Sequence, residues 1–113
     1  MSYIDVVDKV EVPKPARYYT PPAFETVSGI PIAYRRQGNG EAVVLLHGAG
    51  FTRMWIPLYQ MMAERCDFIA PEQPGFGETP MPKWFRSFDD LTLLYDQLFT
   101  QLGLERIHLI GFS

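Results

Sequence analysis

Apolar positions set the chain's first rhythm, a period of two. From Phe24 to Val27, and again through Ile30, Ile32 and Tyr34, apolar residues alternate with polar ones, predicting two half-buried strands joined at Ser28-Gly29 as a hairpin. After the turn-like Gln37-Gly38-Asn39-Gly40, the run Ala42 to Leu46 is apolar at consecutive positions. A strand reads that way when both its faces are covered, as in the middle of a parallel sheet. Phe51, Met54, Trp55, Leu58, Tyr59 and Met62 then recur at helical spacing, but Pro57 would break an interior turn. The helix is therefore expected to start near Ile56, with Pro57 in its first turn.

Asp67 to Ala70 predicts a short strand that runs into a loop from Pro71 to Pro82 rich in proline and glycine. The clearest helix begins at Ser87, an N-cap with Asp90 three residues on. It carries Leu91, Leu94, Tyr95, Leu98 and Leu102 on one face, and Gly103 closes it. Arg106 to Ile110 forms a last strand. The order hairpin, strand, helix, strand, helix, strand predicts an α/β fold with a doubly wound sheet and right-handed parallel crossovers. Residues 1–22 hold Pro13, Pro15, Pro21 and Pro22 and are expected to form an extended arm, leaving 23–113 as the domain.

Composition narrows the field. With 113 residues, 47% of them hydrophobic and 20% charged, the chain supports one globular core. A net charge of -3 with interspersed signs offers no basic stripe for phosphates, so nucleic acid is not an expected partner. Cys66 is the sole cysteine, which excludes an internal disulfide and the usual zinc spacings. No secretory pattern follows Met1 and the longest aliphatic run is five residues. The expectation is a cytoplasmic protein with no membrane span, no metal and no organic cofactor.

Three loops leave the carboxyl ends of consecutive buried strands, where ligands bind in open α/β sheets. They are His47 to Gly50, Glu72 to Thr79, and Gly111 to Ser113. The last is G-x-S directly after an apolar strand, the first half of G-x-S-x-G, in which small flanking residues let the chain turn sharply and hold a serine hydroxyl clear of the sheet. By itself, G-x-S also fits a strand followed by a helix N-cap serine.

Taken together, L-L-H-G-x-G, P-G-F-G-E-T and L-x-R-I-H-L-I-G-F-S, in this order and at these separations, resemble the α/β-hydrolase family over roughly Phe24 to Ser113. The resemblance implies the N-terminal half of a mostly parallel α/β-hydrolase sheet and a serine hydrolase acting on an ester-like acyl bond of a small-molecule substrate. Ser113 matches the family's nucleophile, and Ala49 the position whose backbone N–H supplies half of an oxyanion hole. His47, Gly48 and Gly50 match the structural part of that loop. The triad acid and histidine follow the serine in this family, so the resemblance places neither in residues 1–113. His47 and His108 are then structural histidines, and the chain as given is expected to be inactive, with an unpaired sheet edge prone to self-association. Glu72, where Asp is commoner, and Glu78-Thr79 depart from the pattern at structural positions. A serine at 113 argues against relatives with a carboxylate nucleophile, such as haloalkane dehalogenases and epoxide hydrolases. Phe51, Trp84 and Phe85, with Met81 on the same long loop as the last two, are candidates for a substrate pocket, against the plainer reading that Met81, Trp84 and Phe85 anchor that loop on the protein's own surface.

Two other readings remain open in the sequence. Gly48-x-Gly50 follows a strand, precedes a helix and has Glu72 about twenty residues on, the geography of a dinucleotide-binding fingerprint. Against it, Arg53 replaces the third glycine. The other is a noncatalytic piece of the hydrolase fold.

Overall fold

The computed structural model describes residues 6–8, through their backbone, and residues 17–113. Most of the arm expected over residues 1–22 lies outside the described residues. In chain order the elements are β1 (Val6–Asp8), β2 (Ala23–Val27), β3 (Ile30–Gln37), β4 (Ala42–Leu46), α1 (Pro57–Ala63), β5 (Asp67–Pro71), β6 (Met81–Pro82), α2 (Phe88–Gln101) and β7 (Ile107–Gly111).

The hairpin forms where the alternation placed it. β2 and β3 pair antiparallel with Val27 opposite Ile30, so only Ser28 and Gly29 make the turn, at φ 50° and 81°. Two positive φ values define the primed turn whose twist suits the flanking strands. β3 then pairs antiparallel with β5, β5 parallel with β4, and β4 parallel with β7, giving a five-stranded mixed sheet in the order β2-β3-β5-β4-β7.

From β4 the chain steps to β5 on one side through α1, then returns past β4 to β7 through α2. Reversing direction with one crossover hand puts the two helices on opposite faces. The packing bears this out: Val43, Leu45 and Phe68 meet Tyr59 and Ala63 of α1, whereas Ala42, Val44 and Ile69 face Phe99 and Leu102 on the α2 side. β4 is apolar at every position because its alternate residues serve two cores.

Both helix starts follow from their first residues. α1 has Ile56 as its N-cap and Pro57 in its first turn, where the missing N–H costs nothing. At α2 the Ser87 hydroxyl accepts the Asp90 N–H at 3.3 Å, while the Asp90 carboxylate accepts the Arg86 N–H at 2.8 Å. Its far end closes with Gly103 N–H on the Thr100 carbonyl and Leu104 N–H on the Phe99 carbonyl, the two bonds of a Schellman motif. Leu94, Tyr95 and Leu98 of its apolar face are buried against Val27, Ile30 and Ile32 of the hairpin.

One element escaped the pattern. Within the stretch expected to be loop, Met81–Pro82 forms β6, antiparallel to β1. Two residues are too few to show a period. β7 pairs only with β4 among the described residues, and Leu109 on it is 56% exposed. No helix among the described residues is long and apolar enough to cross a membrane.

Candidate active site

The carboxyl ends of β4 and β7 lie side by side, with Leu46 opposite Gly111, and the Phe112 N–H extends the ladder to the Leu46 carbonyl at 3.1 Å. Immediately beyond, the chain turns. Ser113 has φ 63°, a left-handed conformation that a non-glycine residue adopts at a cost of about 1–3 kcal/mol and that clusters at functional sites. The residue is exposed.

Gly48 is the floor of this turn. A Cβ at that position would lie 2.9 Å from the Phe112 ring and 3.0 Å from the Ser113 Cβ, so any side chain would push the two loops apart. Ala49 and Gly50, the next residues, are exposed, and the Ala49 N–H finds no acceptor among the described residues. Phe51 folds back onto Phe112, ring centroids 4.7 Å apart and edge to face. The structure thus brings together Gly48, Ala49, Phe51, Phe112 and Ser113 from two loops far apart in sequence.

His47 ties in the third loop. Its Nε2 accepts the Gln73 N–H at 3.1 Å, so the proton of the neutral ring sits on Nδ1, which donates to the Gly48 carbonyl at 3.1 Å. Its ring also packs on Phe76 at 5.4 Å. His108, at the other end of β7, lies 3.4 Å from Glu41 and takes no part here.

Beneath these loops lies a buried ionic cluster that sequence reading did not find. Arg35 of β3 is 4% exposed and Glu72, just past β5, 2%. Arg35 Nη1 donates to Glu72 at 3.1 Å, Nη2 to Glu78 at 2.9 Å, and Nε to the Thr20 carbonyl at 2.6 Å. The Glu72 carboxylate also accepts the backbone N–H groups of Arg53 and Glu78. A Cβ at Gly77 would sit on that carboxylate, which explains the glycine. Tyr19 donates its hydroxyl to Glu78 at 2.9 Å, an interaction that raises its pKa. Its ring lies between the Arg35 and Arg53 guanidinium groups, 5.4 and 5.2 Å from its centroid. Two charges of each sign balance, as burial demands. The signal available in the sequence was an arginine inside a half-buried strand.

Two cavities flank the loops. One of about 180 Å³ is lined by Leu45, His47, Phe51, Tyr59, Ile110 and Phe112. The other, about 400 Å³, lies between the β5 loop and the start of α2, with Phe76, Met81, Phe85, Phe88 and Leu91 in its wall. Of the three pocket candidates, Phe51 lines the first and Phe85 the second. Trp84 lines neither; it packs on the hairpin core beneath α2.

The glycine loop does not suit a dinucleotide. A phosphate-binding fingerprint opens straight into a helix N-terminus, whereas here residues 51–56 separate Gly50 from a helix of only seven residues.

Comparison with known proteins agrees with the geometry. A family model described as the alpha/beta hydrolase family matches residues 43–113. The chain is 39% identical over 64 residues to a pimeloyl-[acyl-carrier protein] methyl ester esterase of Legionella pneumophila, an alignment covering 56% of this chain and 26% of that protein. It is 31% identical over 88 residues to a soluble epoxide hydrolase of Corynebacterium sp., covering 75% of this chain and 30% of the relative. An alpha/beta hydrolase fold protein from Burkholderia ambifaria superposes with a TM-score of 0.74 at 21% identity, over 86% of this chain and 36% of that one. The chain spans about a third or less of the length of the curated relatives it matches.

Proposed function

The chain belongs to the alpha/beta hydrolase family, and from that premise we propose that the whole protein hydrolyses an ester-like acyl bond with Ser113 as its nucleophile. The observation that carries this reading is the left-handed φ of 63° at a serine just past β7, whose Cβ lies 3.0 Å from where a Cβ on Gly48 would be. A nucleophile elbow requires that backbone, because the sharp turn lifts the hydroxyl off the sheet.

In this reading Ser113 Oγ attacks the substrate carbonyl carbon, the carbonyl π bond opens to an oxyanion, and collapse expels the alcohol to leave an acyl-enzyme that water then hydrolyses. The N–H of the exposed Ala49, without an acceptor among the described residues, is one donor to the oxyanion. The amide of the residue after the serine is the other, and the acid and histidine that activate the hydroxyl come from later in the whole protein, whose relatives are about three times as long. The small-molecule substrate meets the carboxyl-end cavities, and neither a metal nor an organic cofactor enters these steps. The resemblance to an epoxide hydrolase favours no different chemistry, since that reading requires a carboxylate where this chain has Ser113.

A fluorophosphonate probe tests the proposal. The whole protein is expected to be labelled and its Ser113→Ala variant not; equal labelling of both overturns the reading.

A further inference from the structure

The buried cluster under the loops has a consequence for the oxyanion donor. The His47–Arg53 segment, which carries Ala49 at its exposed crest, is fastened to the β5 loop at both ends. At its start Gln73 N–H donates to His47 Nε2, and at its end Arg53 N–H donates to the Glu72 carboxylate. Arg53 is itself left-handed, at φ 63°, a strained conformation that an unheld exposed loop would relax. Phe51 N–H on the Gly48 carbonyl at 3.0 Å closes the turn between these two ends.

Glu72 is built for this. Its side chain is 3% exposed, one oxygen receives Arg35 and the Arg53 amide, and the other receives the Glu78 amide. Arg35, held by the Thr20 carbonyl and by Glu78, fixes the carboxylate in turn. A carboxylate that accepts three donors in a low-dielectric site holds its geometry far better than one in water.

The geometry points to Glu72 as a positioning residue for hydrolysis: through the Arg53 amide it sets the height of the Ala49 N–H above Ser113. This inference rests on the nucleophilic role proposed for Ser113. Glu72 touches no substrate. Its effect falls on the tetrahedral intermediates and the transition states that flank them, because the bound ester carries no oxyanion, so its loss lowers kcat and leaves KM in place. A displacement of the donor by about 1 Å is enough for roughly a hundredfold.

The experiment compares Glu72→Gln, Glu72→Asp and Asp67→Asn in the whole protein, assayed on a chromogenic ester below the melting point of every variant. Asp67 is the control: it is also a buried acid paired with an arginine, Arg36, but at the opposite end of the sheet. The expected result for Glu72→Gln is a kcat about ten- to a hundredfold lower with KM within twofold. Glu72→Asp, which keeps the charge, recovers most of the loss, and Asp67→Asn retains kcat within twofold. A Glu72→Gln kcat within twofold of the parent, or an equal fall in Asp67→Asn, overturns the inference. Should Glu72→Gln not fold, amide hydrogen exchange in the unaltered protein decides: the Arg53 amide is expected to exchange as slowly as those of β4, and exchange as fast as at Gly50 overturns the inference. Failure of the Ser113 reading is distinguishable, since it shows as ester turnover that survives Ser113→Ala.

Discussion

Arg35 and Arg36 are neighbours on β3 whose side chains leave opposite faces of the strand and reach carboxylates at opposite ends of β5. Arg35 is buried among Glu72, Glu78, Tyr19 and the Thr20 carbonyl, all of them outside the regular strands of the main sheet. Arg36 reaches Asp67 on the adjacent strand with two bonds of 2.9 and 2.7 Å, and its side chain remains a third exposed. The strands at the amino end already hold one another through their ladders, so a partly solvated pair there adds little. At the carboxyl end the chain leaves the ladder, and the loops have backbone N–H groups that must find acceptors. The buried carboxylate of Glu72 supplies them. Burial of charge at these two pairs thus follows the need to fix irregular backbone, here that of Arg53 and Glu78.

The comparison can be broken at either end. The largest effect is expected from Arg35→Met, which removes the ion-pair partner of both Glu72 and Glu78 and leaves two carboxylates against the single charge of Arg53. Chemical denaturation of the whole protein should show a loss of about 3–5 kcal/mol, and a loss below 1 kcal/mol would mean that the cluster is not a buried one. Asp67→Asn should cost only about 1 kcal/mol, because Arg36 keeps access to water. If the two losses are equal, the contrast between the ends fails.

The smallest effect belongs to Cys66, just before β5 and next to Asp67. Its Sγ donates to the Met62 carbonyl at 3.1 Å, and burial pushes the thiol's pKa up. The folded state therefore holds the proton to higher pH than the unfolded state does. The stability this brings is present below the ordinary thiol pKa and lost as pH rises above it. Maleimide should modify Cys66 slowly at neutral pH in the folded protein and quickly in denaturant; equal rates would contradict the burial.

Much of this was legible in the sequence because it depends on local chemistry. The Ser87 cap, Pro57 in the first turn of α1, the Ser28-Gly29 turn and the two-faced apolar run of β4 each announce themselves within a few residues. That His47–Gly50 and Gly111–Ser113 lie at one end of the sheet was readable from the alternation of strands and helices; that β4 and β7 are neighbours, so that the loops meet, is a fact of the fold. The Arg35–Glu72–Glu78–Tyr19 cluster was not. Its members are separated by up to 59 residues, and each on its own looks like a solvated surface group. The β1–β6 ladder escaped for the reason that two residues carry no period. Trp84 carried two readings, pocket wall or loop anchor, because a loop aromatic looks alike in sequence whether it faces a ligand or the core; its packing on the hairpin and α2 core fits the second.

The most direct measurement is the site of covalent capture. The whole protein is treated with a fluorophosphonate, digested, and the adduct located by tandem mass spectrometry. Ser113 is expected to be the single modified residue, with labelling abolished in Ser113→Ala. An adduct on another residue, or labelling that persists in the variant, would contradict it.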